Sequence, residues 1–379
     1  MILETAFGSR DQTACGEPVE PAYGELGHSA FGKRNHTARS ELVQTVTVEE
    51  TLPQPFGAIG ERLKLVERGN LAAALQRLVA GGVESDRWTS PDLLGQVRQA
   101  ARDPIDTILC GALDLDPVLP LQQELAATRA LEITAGTAAL AACAGAKQAM
   151  IALPEDSPPR VIAAMRTAAG QTGVRLFPLP NEYPLANGPL LIRRVLNRKL
   201  APSRLPAEVD VLLVDSPAAI AAGRCLLDEQ PMLQTPIGIY DQPLNRSHLF
   251  LAPVGARVGD VLAAAGMIAG DSELRAGHVL RDVATGMDAI VGGGELSLFL
   301  IEAQTSVSPA ACLRCGWCVE ACPARIHPAG LLEAAQQEDP ELAQRYGVDS
   351  CIECGICSYV CPSRLPLLAG IRGLMNLKT

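Results

Sequence analysis

Eight of the twelve cysteines lie in the last 68 residues, in two runs of one pattern. CLRCGWCVEACP spans 312–323 and CIECGICSYVCP spans 351–362. Three cysteines two residues apart let a tight loop wrap one face of an inorganic cluster. The fourth, after three more residues, starts a helix that has turned away and meets the opposite loop. Two such runs are the pattern for two cubane [4Fe–4S] clusters in which each fourth cysteine serves the other run's cluster. One cluster is therefore assigned to Cys312, Cys315, Cys318 and Cys361, the other to Cys351, Cys354, Cys357 and Cys322. Zinc sites built from CxxC pairs would leave half of these thiols unexplained. A disulfide framework suits a small exported domain, and MILETAFGSRDQ lacks the basic start and apolar core of an export signal.

Around the ligands, Pro323 and Pro362 fix the chain direction, and Gly316 and Gly355 let backbone approach inorganic sulfide. Trp317, Ile356 and Tyr359 are expected to bury the clusters and tune their potentials. The segment HPAGLLEAAQQEDPELAQRYG between the runs predicts two short helices divided near Asp339–Pro340. His327 is read as a surface residue before the first of them.

Upstream, residues 1–57 are polar and without sustained period, and predict an irregular, disordered tail. Residues 58–228 alternate helical and strand patterns: helices at 61–79, 90–102, 121–144, 159–172, 190–196 and 218–227, and strands at 107–110, 149–153, 174–179 and 209–214. Such alternation predicts a layered, Rossmann-like α/β domain with a largely parallel sheet. Residues 229–304 read as a small β-grasp-like domain with one helix at 258–265, and residues 305–379 as an α-helical, ferredoxin-type dicluster domain. A net charge of −10 argues against a nucleic-acid partner. The apolar stretch Ala130–Leu153 is mostly Ala and Gly, interrupted by Lys147 and Gln148, so no direct membrane span is expected. Cys110, Cys143 and Cys225 are expected as buried core thiols, and His248 and His278 lack companion ligands in the local sequence.

From about residue 90 onward the domain order and motifs resemble the C subunit of the Rnf (Rsx) ion-translocating electron-transport complex, most closely over Cys312–Arg372, where PSRLPLLAGIRG follows the last cysteine. The resemblance implies an FMN- and NADH-binding α/β domain akin to the flavin subunit of complex I, a β-grasp (SLBB-like) domain and the dicluster module, passing electrons into a membrane complex. The family's N-terminal lipoyl-like domain finds no counterpart in the pattern before residue 90.

The departures fall on the flavin site. The Gly-rich loop that covers flavin and nucleotide in the family should lie between Gln96 and Thr107, where VRQAARDPID has no glycine. Gly111–Pro117 stands for an Asn-Ala-x-Glu-x-Glu-Pro-like segment, retaining carboxylates only as Asp114 and Asp116. Of a Lys-Tyr-Pro-x-Gly-Gly segment only Tyr183 and Pro184 remain. Asp215-Ser216-Pro217-Ala218 replaces a phosphate-holding turn, adding a negative charge and removing an N–H donor. FMN and NADH binding are thus expected to be lost, with the surviving residues ordinary loop positions.

The expected protein is a scaffold and single-electron relay rather than a stand-alone catalyst. Its expected partners are the membrane subunits of an Rnf-like complex and a redox donor or acceptor protein, a ferredoxin or a dehydrogenase. Its expected place is the cytoplasmic face of the inner membrane, held peripherally by those subunits. The alternative is a soluble dicluster subunit of a glycolate-oxidase-, heterodisulfide-reductase- or cobalamin-reductase-like enzyme.

Overall fold

A computed structural model of the chain describes residues 59–66, 69–267, 272–294, 296–302 and 308–376. The irregular tail expected over residues 1–57 lies outside them.

The first domain is layered α/β. Helices α1 (Ile59–Leu65), α2 (Leu71–Ala80) and α3 (Leu93–Ala100) precede β1 (Thr107–Gly111), α4 (Leu121–Thr128), α5 (Ala130–Ala144) and β2 (Gln148–Pro154). Then come α6 (Pro159–Thr172), β3 (Arg175–Leu179), α7 (Gly188–Leu196), β4 (Val211–Asp215) and α8 (Ser216–Asp228). The four strands are parallel in the order β3-β2-β1-β4. Both faces are buried, as parallel sheets require. Ile108, Cys110, Ile151, Leu212 and Val214 face the helices α2, α3, α5, α6 and α8. Their strand neighbours Leu109, Met150, Ala152, Val211 and Leu213 face α7 and residues Ile352 and Cys354 of the C-terminal domain.

Helix ends differ from the sequence expectation at three places. The helix expected over 61–79 is two, because Asn70 caps α2 by accepting from Ala73 N–H at 3.1 Å. The helix expected from Ser90 starts at Leu93 instead. Asp92 is its cap, and the Ser90 hydroxyl donates to Leu213 O at 2.6 Å, tying the loop to β4. The run over 121–144 breaks between Thr128 and Ala130, and Glu132 gathers Arg129 and Arg224 there. Cys110, Cys143 and Cys225 are buried, as expected.

The second domain is a five-stranded mixed sheet in the order β6-β5-β9-β7-β8, with β5 Gln234–Asp241, β6 Arg246–Pro253, β7 Ser272–Ala276, β8 Val283–Ala284 and β9 Leu296–Glu302. Its core packs on α9 (Val258–Ala264) through Val258, Val261 and Leu262. The third domain is helical: α10 (Trp317–Glu320), α11 (Pro328–Gln337), α12 (Pro340–Arg345), α13 (Ile356–Tyr359) and α14 (Leu367–Asn376). Asp339 divides α11 from α12 and caps the latter through Leu342 N–H at 2.9 Å, matching the two helices read from the sequence. His327 is exposed and caps α11, its Nδ1 accepting from Gly330 N–H at 2.8 Å.

Candidate functional site

The two cysteine runs fold as matching loops, each ending in a one-turn helix, α10 or α13, that begins at a glycine with positive φ: Gly316 at 80° and Gly355 at 77°. Crossing brings the runs together. Cys312, Cys315 and Cys318 line one cavity with Cys361 from the other run, a space of ≈ 880 Å³. Cys351, Cys354 and Cys357 line a second, much tighter void of ≈ 20 Å³ with Cys322 from the first run. Burial pushes the Cys351 and Cys357 thiols up to about 12, and the neighbouring thiols, Cys322 among them, add to the rise. Thiolate bonds to a cation are what reverse such a penalty. Among the described residues no group of three or more His, Cys, Asp or Glu is arranged for a single metal ion. Four thiols about each cavity, with otherwise apolar walls in the tighter one, fit a multi-iron cluster by donor chemistry.

The quartets differ in exposure. Cys312 and Cys315 are exposed, whereas Cys351, Cys354 and Cys357 are buried. Of the three side chains expected to bury the clusters, only Ile356 packs against a core. Trp317 is 55% and Tyr359 62% exposed, because one-turn helices cannot carry their outer faces back to the domain interior.

Against the enclosed quartet lies the crevice at the carboxyl ends of β1 and β4, where Gly111 pairs with Asp215 and the strand order reverses. Open α/β sheets bind ligands at such a switch point. Here it is occupied by side chains. Asp215 is fully buried at the N-terminus of α8, accepting from Ala218 N–H at 2.8 Å and Asp86 N–H at 2.7 Å. Burial pushes its carboxyl up to about 7. The Trp88 ring stacks on Tyr183 at 5.8 Å between centroids, the Arg281 guanidinium lies 4.1 Å from its centre, and the His278 ring is tilted against it at 6.0 Å. Trp88 Nε1 donates to Ile352 O at 2.6 Å, and the Tyr183 hydroxyl donates to Cys354 O.

Asp116 accepts from Val279 N–H at 2.8 Å and holds His278 Nδ1 at 2.9 Å; Asp86 stands 3.7 Å from His278 Nε2. Burial works against a charge on His278, but its bonds to Asp116 and Asp86 prevail and push it up to about 9. Asp86, which burial alone would raise, is held below the usual carboxylate range by His278. Asp114 stands apart from this network and receives Gln122 N–H at 2.9 Å, fastening the start of α4.

Asp116 and Tyr183, read as ordinary loop positions, thus meet in one buried network. His278, read as lacking companions, finds two carboxylates from the α/β domain. Asp86, Trp88 and Arg281 carried no motif. The available signal was compositional: Trp88 is one of two tryptophans in a chain with 3% aromatic residues.

Residues 95–222 match the Nuo51 FMN-binding domain family, and residues 305–362 the 4Fe-4S dicluster domain family. Curated relatives include the C subunit of the ion-translocating oxidoreductase complex of Yersinia enterocolitica, 28% identical over 256 residues covering 66% of this chain and 37% of the relative. Its counterpart from Edwardsiella ictaluri is 28% identical over 251 residues, 64% of this chain and 31% of its own length. The chain spans about a third of the length of these curated relatives. In fold it is similar to a chain of an NAD+-reducing [NiFe]-hydrogenase in the H2-reduced state, with a TM-score of 0.54 at 15% identity, covering 84% of this chain and 63% of that one. No helix among the described residues is long and apolar enough to cross a membrane. Joining a Nuo51-type α/β domain to a 4Fe-4S dicluster domain in that order, the chain is similar to the C subunits of the ion-translocating oxidoreductase complexes.

Proposed function

We propose that the chain is an electron-transfer subunit of an Rnf-like, membrane-associated oxidoreductase assembly, carrying two [4Fe–4S] clusters and no flavin or nicotinamide of its own. The observation that carries this reading is the pair of crossed thiol quartets. Cys312, Cys315, Cys318 and Cys361 would hold one cluster, and Cys351, Cys354, Cys357 and Cys322 the other. Such clusters supply one-electron exchange. The chain's own residues bind, shield and wire them: Trp88 and Tyr183 clamp the enclosed loop by its Ile352 and Cys354 carbonyls.

The flavin-free reading is supported by what fills the crevice. A flavin phosphate at α8 would meet the Asp215 carboxyl group, which already takes the Ala218 N–H of that helix. A flat ring against Tyr183 would meet Trp88. The α/β domain and the sheet domain, read as β-grasp-like, then act as a docking scaffold. Membrane subunits would hold the chain at the cytoplasmic face, and a ferredoxin or dehydrogenase would exchange electrons with it.

The test is protein purified and reconstituted without oxygen. About eight iron atoms and eight sulfides per chain are expected, with no acid-released flavin and no cluster reduction by NADH alone. Stoichiometric FMN, or rapid bleaching by NADH, sinks the flavin-free reading. The crossing is tested separately by electron paramagnetic resonance. Cys322→Ser should abolish the same signal as Cys354→Ser, and Cys361→Ser the same signal as Cys312→Ser. The opposite grouping means that each run holds its own cluster.

A further inference from the structure

The enclosed quartet meets a cation from another domain. The loop between β7 and β8 runs over the cluster-binding turn at Gly355, where a Cβ would collide with the carbonyl of Leu280. The next residue, Arg281, lays its guanidinium over the ring of Trp88, whose indole is bonded to Ile352 O beside Cys351. The backbone carbonyl of Arg281 accepts from Arg372 at 3.2 Å, and Arg372 also holds Glu353 at 2.8 Å, so the loop is fastened to the cluster-binding turn from both sides.

The two arginines differ in how far their charge is matched. Arg372 is neutralised by Glu353. Arg281 has no ion pair at contact distance among the described residues and its Nε is buried without a hydrogen-bond partner; Asp86, Asp116 and protonated His278 together leave one negative charge, which acts on it only from beyond contact distance.

Accepting an electron adds one negative charge to a centre already made anionic by four thiolates. Removal from water penalises that added charge, and a nearby fixed cation offsets the penalty more strongly in a low dielectric than at a surface. Cys312 and Cys315 have solvent for this purpose, whereas Cys351, Cys354 and Cys357 do not.

We propose that Arg281, supplied by the sheet domain, is the residue that keeps the enclosed cluster reducible, setting its potential separately from that of the exposed one. The proposal rests on the reading that Cys322, Cys351, Cys354 and Cys357 hold a cluster. It makes the sheet domain a tuning element as well as a scaffold. Arg281 touches no ligand in its role; it acts through space, from a position fixed by Trp88 and the Arg372 bond.

The test is an anaerobic redox titration of the full chain followed by electron paramagnetic resonance, with the two signals assigned through Cys354→Ser and Cys312→Ser. In Arg281→Met the enclosed cluster's reduced-to-oxidised ratio at fixed potential should fall about tenfold, equivalent to about 59 mV for a one-electron couple. Arg281→Lys should retain most of the wild-type value. Leu280→Lys, which adds a cation beside Gly355 and leaves Arg281 in place, should shift the same midpoint upward. The exposed cluster's midpoint should not move in any variant. Iron and sulfide content is read alongside. If Arg281→Met fails to take up clusters, an unmoved midpoint in Leu280→Lys overturns the proposal by itself. Joint movement of both midpoints also overturns it. A wild-type chain lacking the enclosed cluster overturns the functional reading and the tuning role together, whereas full content with unmoved midpoints overturns only the latter.

Discussion

At Asp215 one carboxylate does locally what a bound phosphate does for a helix N-terminus, and His278 lies one step further along the same network. His278 sits between Asp116 and Asp86, and its pKa is raised from the ordinary 6.5 to about 9. A raised basic pKa means that the native state holds its proton more tightly than the unfolded chain does. The stabilisation is complete below pH 6.5 and is lost as pH rises through 9, amounting to roughly 3 kcal/mol at 1.36 kcal/mol per unit. Unfolding by urea across this range should show wild-type stability falling with pH, and His278→Gln should flatten the dependence. An unchanged slope would mean that His278 is neutral in the native protein. Trp88 is the other residue with a large expected effect, since it is 6% exposed, stacked, and bonded to Ile352 O. Trp88→Ala should cost about 3–5 kcal/mol, read as a lowered unfolding midpoint.

The elements of the α/β domain pack by apolar contact, and α5 and α8 approach very closely. A Cβ on Gly136 would collide with the carbonyl of Ala219, so the helices meet backbone to backbone. Gly136→Val should force them apart, with overpacking costing about 1–3 kcal/mol. Gly170 on α6 is the contrast, exposed and with open space around it. Gly170→Ala should stabilise by about 0.5–1 kcal/mol through helix propensity and a less free unfolded chain. Thermal unfolding of both variants checks the pair of opposite signs. Which elements exist was legible here, because strands such as the one containing VLLV, buried on both faces, read as continuous apolar runs. Several helix ends were not. The cap at Asn70 and the loss of Ser90's hydroxyl to Leu213 O are decided by one hydrogen bond each, and the second is tertiary.

Across the whole molecule, the convergence of the two cysteine runs on shared cavities follows the matched spacing of the sequence, whereas the full make-up of the crevice beside them does not. Its residues come from the segment before α3, the loop after β1, the loop at Tyr183, the start of α8 and the loop after β7, up to 195 positions apart between Asp86 and Arg281. Asp116, Tyr183 and Asp215 fall in recognisable segments, but no local pattern joins Asp86, Trp88, His278 and Arg281 to them. That assembly leaves one thiol quartet against water and the other behind Trp88, Tyr183 and the sheet domain. The asymmetry fixes an order of vulnerability. Exposed ligands meet chelator or oxidant directly, while the enclosed set is reached only when the domains open locally, and local opening draws on the interactions that hold them. Exposure of the anaerobically loaded chain to ferricyanide with chelator should therefore remove cluster absorbance in two phases of about equal amplitude. Cys312→Ser should lack the fast phase and Cys354→Ser the slow one. Trp88→Ala should speed only the slow phase, because it loosens the contact that covers Ile352 without touching the exposed loop. A single phase in the wild type would mean that the two centres are equally open to solvent, and with that both the shielding and the need for a compensating cation would disappear.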